Sequence, residues 1–147
     1  MFLDSVEYLD HMTDAYLRIR GQTMNEAFEY SAMGLVNIMY DIENIEKKQQ
    51  IPIFAEGDEL ENLLFDWLDK ILLMMLIDKV IFSKFKIEIT FDESSNRYLL
   101  TGYGEGELVD ISKHELKVEI KGITYHEMKI LNYKDTNETI IEYIVDL

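Results

Sequence analysis

The apolar residues change period near position 79, and that change sets the architecture. Before it, Leu60, Leu63, Leu64, Trp67, Leu68, Ile71, Leu72, Met75 and Leu76 recur at three-and-four spacing, which predicts a helix with a broad buried face ending near Asp78. After it, Phe85, Ile87, Ile89 and Phe91 alternate with Lys86, Glu88 and Thr90, the period of a strand covered on one side. An earlier helix is predicted over about 24–40, where Thr23 and Glu26 have the form of a capping box and Ala27, Phe28, Ala32, Leu35, Val36 and Met39 follow at helical spacing. Asp58 and Glu61 repeat the capping pattern ahead of the second helix. Short strands are expected over 5–11 and 15–21 with a turn at 12–14, and Pro52 assigns the mixed stretch 42–54 to an edge strand. Beyond residue 80, strands are expected at 97–106, 117–125, 127–133 and 139–145, with a polar connection at 108–116. Helices first and then a run of strands give an α+β domain, two helices packed on antiparallel sheet of about eight strands, spanning 1–147 as one unit.

Charge narrows the partners. There are 29 acidic and 14 basic side chains, a formal net charge of −15, so no direct nucleic-acid binding is expected, because phosphate recognition draws on Lys and Arg. A basic protein or a cation is the favoured partner. With no Cys and three His, Cys-based zinc sites and disulfides are excluded. The run 71–77 is far short of the roughly 20 apolar residues of a membrane span. Residues 1–10 carry acids, no base and no continuous apolar stretch, unlike a secretory leader, and the expected location is cytoplasmic.

Enzyme signatures are sparse. No Gly-x-Ser-x-Gly elbow occurs, and His114-Glu115 and His126-Glu127 are followed by Val118 and Ile130 where a zincin helix needs its second His. Gly102, Gly104 and Gly106 lie among Tyr103, Glu105 and Glu107 with no Lys and no helix to follow, so they read as a sheet bend and not as a phosphate cradle. What remains is polar groups where strands end. His11 and Asp14 flank the first turn, and Asp146 and Leu147 stand at the other end of the sequence. Two Asp side chains and a terminal carboxylate at Leu147 would supply oxygens for a hard divalent cation if the ends meet. On composition alone a turn residue and a frayed end explain Asp14 and Asp146 as well. The stretch 113–126, with Lys113, His114, Glu115, Glu119, Lys121 and His126, alternates charged or hydroxyl groups with apolar ones, which cross-strand ion pairs also account for.

Three blocks carry a resemblance. Residues 11–21 resemble the N-terminal His-Thr-Ala-Asp-x-Gly-Ile-x-x-x-Gly block of the archease family, residues 113–126 its His-Glu…Val-Lys-Ala-Ile-Thr-Tyr-His stretch, and Val145-Asp146-Leu147 its Val-Asp-Ile end. Residues 58–68 are also similar. The first block departs from the pattern at Met12, Thr13 and Tyr16, while Asp14 is retained. The resemblance implies a protein that is not itself an enzyme but activates the RtcB-type, GTP-dependent tRNA-splicing RNA ligase, promoting its guanylylation and repeated turnover. It implies a divalent cation (calcium, magnesium or manganese) on Asp14, Asp146 and Leu147, and partner or activation candidates at Lys121, His11, His114 and His126. The alternative it carries is a chaperone or modulator of RNA-modifying enzymes such as a tRNA methyltransferase. A metal-dependent hydrolase built from the His and Asp residues is a third class.

Overall fold

The computed structural model describes residues 2–9 and 13–147. A single helical turn, α1 (Phe2–Ser5), leads into β1 (Val6–Leu9), followed by β2 (Asp14–Gly21), α2 (Met24–Met39), β3 (Gln49–Gly57) and α3 (Leu60–Leu73). The remaining strands are β4 (Val80–Asp92), β5 (Arg97–Leu108), β6 (Gly122–Tyr133) and β7 (Glu138–Asp146). All pairings are antiparallel, in two sheets of order β1-β2-β7-β6 and β3-β5-β4. Helix α2 packs against β2 and β4, and α3 against β3 and β6, so each helix touches both sheets. The α+β architecture read from the sequence therefore stands, with seven strands in two sheets among the described residues. Strands expected separately at 117–125 and 127–133 are one strand, β6, and residues 117–121 lie outside it.

The helix starts obey local chemistry unequally. Thr23 Oγ1 accepts from Glu26 N at 3.0 Å, and Glu26 Oε1 accepts from Gln22 N at 2.9 Å, so both side chains of the box satisfy free main-chain donors. At α3 the N-cap is Glu59, with no side-chain cap bond, and Asp58 instead takes the Asn62 side chain. The helix closes through a π-helical turn, Met74–Asp78, and Lys79 follows in the left-handed region at φ 57°.

Buried hydroxyl and indole groups tie the layers together. Trp67 Nε1 donates to Phe28 O at 2.9 Å across the two helices, and Tyr143 OH donates to Ser31 O at 2.6 Å between β7 and α2. Both edges of the smaller sheet are closed by helix side chains. On β4, Ile87 N donates to Glu29 and Ile89 N to Asn25; on β3, Glu56 N donates to Asp66 and Phe54 O accepts from Lys70. An open edge is a template for pairing with another chain, and these four side chains occupy part of each edge. Pro52 sits on this β3 edge, as its missing N–H requires.

Candidate functional site

Pairing of β2 with β7 brings the two ends of the sequence onto one surface. Leu17 and Ile19 of β2 and Ile141, Tyr143 and Val145 of β7 are fully buried, so alternation turns Asp14, Tyr16, Arg18, Glu142 and Asp146 to the opposite face. In the register Asp14 lies directly across from Asp146, Tyr16 from Ile144 and Arg18 from Glu142. On its other side Asp146 faces Gly122 of β6, where an added Cβ would meet nothing within 4 Å. The two carboxylates therefore stand on an open part of the sheet.

Main-chain bonds hold this corner. Lys121 N donates to Asp146 O at 2.7 Å, Leu147 N donates to Thr13 O at 3.4 Å, and Thr13 Oγ1 donates to Asp14 Oδ1 at 3.4 Å. Farther along the same face, Glu142 accepts from Arg18 Nε at 2.7 Å and from Tyr16 OH at 2.8 Å. The Arg18 bond holds the Glu142 carboxyl below its ordinary range, and the same carboxylate raises the Tyr16 hydroxyl. Tyr16, one of the departures from the family block, is thus engaged with Glu142 beside the Asp pair.

Among the described residues no three His, Cys, Asp or Glu side chains are grouped to hold a metal ion. The donor set at this corner is two Asp carboxylates with main-chain oxygen around them. Hard oxygen ligands suit calcium, magnesium or manganese and not zinc. Like charges directly opposite in an antiparallel pair repel, and a cation between them offsets that cost. In donor chemistry the two Asp carboxylates suit such a cation.

Of the other candidates, His11 lies outside the described residues. Lys121 is exposed and adjoins the Asp pair through its main chain. His126 is exposed in a wide bulge of β6, where Tyr143 alone lies opposite residues 125–128 and His126 N donates to Thr124 Oγ1 at 3.1 Å. His114 is elsewhere and 4% exposed: Asp110 N donates to its Nδ1 at 2.9 Å, leaving the ring hydrogen on Nε2, which lies 3.0 Å from Glu107 Oε2. Glu107 also accepts from Glu46 N at 2.7 Å and from Lys113 at 2.9 Å, with Lys48 at 3.4 Å. Burial raises that carboxyl, but these bonds outweigh it and bring it down to about 2. Nothing in the Gly-Glu-Gly-Glu run marks Glu107 out, because Glu46 and Lys48 come from a distant stretch and Lys113 and His114 from beyond the end of β5. The cluster pins the start of the segment 109–121 that delivers Lys121 to the Asp pair.

A model of the archease protein family matches residues 6–147. The chain is 40% identical over 129 residues to protein archease of Pyrococcus furiosus, covering 88% of this chain and 89% of that one. It is 35% identical over 145 residues to protein archease of Sulfurisphaera tokodaii, covering 99% and 100%. The solution structure of Methanobacterium thermoautotrophicum protein 1598 superposes with a TM-score of 0.79 at 28% identity over the whole of both chains.

Proposed function

The chain belongs to the archease family, and from that premise we propose that it is a non-catalytic activator of an RtcB-type tRNA-splicing RNA ligase, holding a divalent cation at Asp14, Asp146 and Leu147 and promoting ligase guanylylation and repeated turnover. The observation that carries the reading is the register that sets Asp14 opposite Asp146 with Gly122 open beside them. A bound cation supplies positive charge against nucleotide phosphates. The chain's own part is positioning. The β2–β7 ladder fixes the separation of the carboxylate-bearing strands, the missing side chain at 122 leaves room for a partner group, and the Lys121 main chain clamps Asp146 while its side chain stays exposed at the rim. Acidic charge over the rest of the surface steers the protein toward a basic cleft.

Titration of calcium, magnesium and manganese against parent, Asp14→Asn and Asp146→Asn, following both melting and ligase guanylylation, tests this. A cation bound only by the folded state adds about 2.7 kcal/mol at a hundredfold excess over its Kd, so the parent melts higher with the right metal and neither variant does. Lys121→Ala stays within about 0.5 kcal/mol of the parent in stability but activates the ligase less. Equal thermal responses in parent and Asp variants refute the cation site. Full activation by both variants refutes the mechanism and favours the chaperone or methyltransferase-modulator reading, which does not need Asp14.

A further inference from the structure

A groove runs along the seam between β3 and α3, away from the β2–β7 ladder. It consists of two depressions, of about 350 and 540 Å³, that share Phe54 and Lys70. The first is apolar. Phe54 is 45% exposed, Leu73 43% and Ile77 70%, with Pro52 and Met74 lining the floor between them. Phe54 is on the outward side of β3, since Ile53 and Ala55 face the core, and Leu73 and Ile77 lie one turn apart where α3 passes into its π-helical end. The second depression is acidic, lined by Glu56, Asp58, Asp66 and Asp69 against Lys70 and Arg97. Those two bases are already engaged, Lys70 with Asp66 at 3.2 Å and Arg97 with Glu56 at 3.4 Å, so the groove keeps an excess of negative charge.

The β3 edge beside the groove is partly taken already. Pro52 has no N–H, Glu56 N is taken by Asp66, and Phe54 O is taken by Lys70. These positions disfavour an added strand and favour an occupant that enters by its side chains. An apolar depression edged by side chains one helical turn apart, continued by an acidic stretch, matches a helix with two apolar anchors on one face and Lys or Arg along the next turns.

We propose that the β3–α3 groove docks an amphipathic, basic helix of a partner protein, with apolar anchors between Phe54, Leu73 and Ile77 and its basic side chains against Asp58, Asp66 and Asp69. The far end of the groove is Tyr125, which stacks on Phe65 with ring centroids 4.3 Å apart and belongs to the same strand as Gly122. A partner seated here therefore has β6 as its path toward the Asp14–Asp146 corner. The docking itself needs no cation, and it goes beyond the function proposed above.

Fluorescence anisotropy with a labelled synthetic helix of Leu, Lys and Ala, its two Leu four residues apart, tests the proposal. Ile77→Asp is the informative variant, because it removes an anchor site while adding a negative charge. Docking in the groove makes Ile77→Asp bind at least tenfold more weakly than the parent; attraction by net charge alone makes it bind equally or more tightly and overturns the proposal. Leu73→Ser, which leaves the charge unchanged, gives the same weakening, and far-UV circular dichroism with melting confirms that both variants are folded. A peptide with Glu in place of Lys does not bind. Absence of binding by the parent refutes the proposal, as does a concentration-dependent dimer that Ile77→Asp abolishes, which would give the groove to a second copy of the chain. Asp14→Asn binds the peptide as the parent does, so failure of the cation site and failure of the groove are read separately.

Discussion

Glu107 shows how a single side chain can hold two distant stretches of chain. Its carboxylate is 4% exposed and collects the Glu46 amide, Lys113, Lys48 and the His114 ring. A buried charge persists only when its hydrogen bonds and opposite charges offset lost hydration. Here they do so with enough surplus to lower the carboxyl from its ordinary 4.5 to about 2. A group held lower in the folded than in the unfolded chain stabilises folding above its unfolded value, and that contribution disappears as pH falls toward the folded one. Glu107 therefore contributes fully at neutral pH and loses its contribution between about pH 4.5 and 2. Glu107→Gln keeps the shape but cannot carry the charge, and it costs about 2 kcal/mol at pH 7 through weakened bonds to buried donors. Urea unfolding of parent and variant from pH 7 to pH 2.5 checks both parts: the gap between them narrows in acid, and parallel curves would mean that the cluster is not what stabilises this corner.

At the scale of elements, glycines separate the two sheets' requirements. A Cβ at Gly106 would lie 1.8 Å from Ile81 O, a main-chain atom of the neighbouring strand, whereas at Gly122 it would meet open space. Gly106→Ala therefore forces β4 and β5 apart and costs about 3 kcal/mol or more. Gly122→Ala changes stability by no more than about 0.5 kcal/mol. Thermal melts of the two variants decide it, and a well-folded Gly106→Ala protein would show that the strands can shift apart cheaply. Gly102, Gly104 and Gly106, read from their spacing as a sheet bend, stand instead where β5 passes too close to β4 for a side chain. Elements whose signal is local were readable in the same way: the Thr23 box, the periodic face of α3, and the edge strand announced by Pro52, although that strand runs from Gln49 to Gly57 and not over 42–54, residues 42–44 forming a 3₁₀ turn. Others depended on contacts that periodicity does not encode. The bulge at 125–128 looked like the end of one strand and the start of another, because Glu127 takes a left-handed φ of 56° and Tyr125 leaves the ladder to stack on Phe65. Ile120 and Ile123 both enter the core although strict alternation put them on opposite faces, since 117–121 is not strand. For the candidate site, the residue types were visible but their meeting was not. Asp14 opposite Asp146 is a matter of β2–β7 register, which alternation constrains only to within a slip of two residues.

For the whole molecule the governing quantity is the charge of −15 carried by 147 residues. Like charges spread over a small surface repel one another, so part of the folding free energy is spent against the protein's own field. The same field accelerates encounter with a basic partner, both at the open Asp14–Asp146 corner and along the acidic half of the β3–α3 groove. Salt acts on both effects through one cause, since the field reaches about 10 Å at 0.1 M ionic strength and about 30 Å at 0.01 M. The two effects respond with opposite sign. Raising salt from 0.01 to 0.1 M should raise the melting temperature while slowing association with the basic helical peptide on the order of tenfold. Stopped-flow association rates and melts on the same samples measure the pair. A melting temperature that rises while the association rate stays flat would show that the charge serves solubility and does not steer. Dissociation supplies the internal control: the apolar anchors at Phe54, Leu73 and Ile77 are insensitive to screening, so the dissociation rate changes far less with salt than the association rate if they hold the complex together. A dissociation rate that climbs as steeply as association falls would instead mean that the complex is held by diffuse charge, and the groove would lose its claim to specificity.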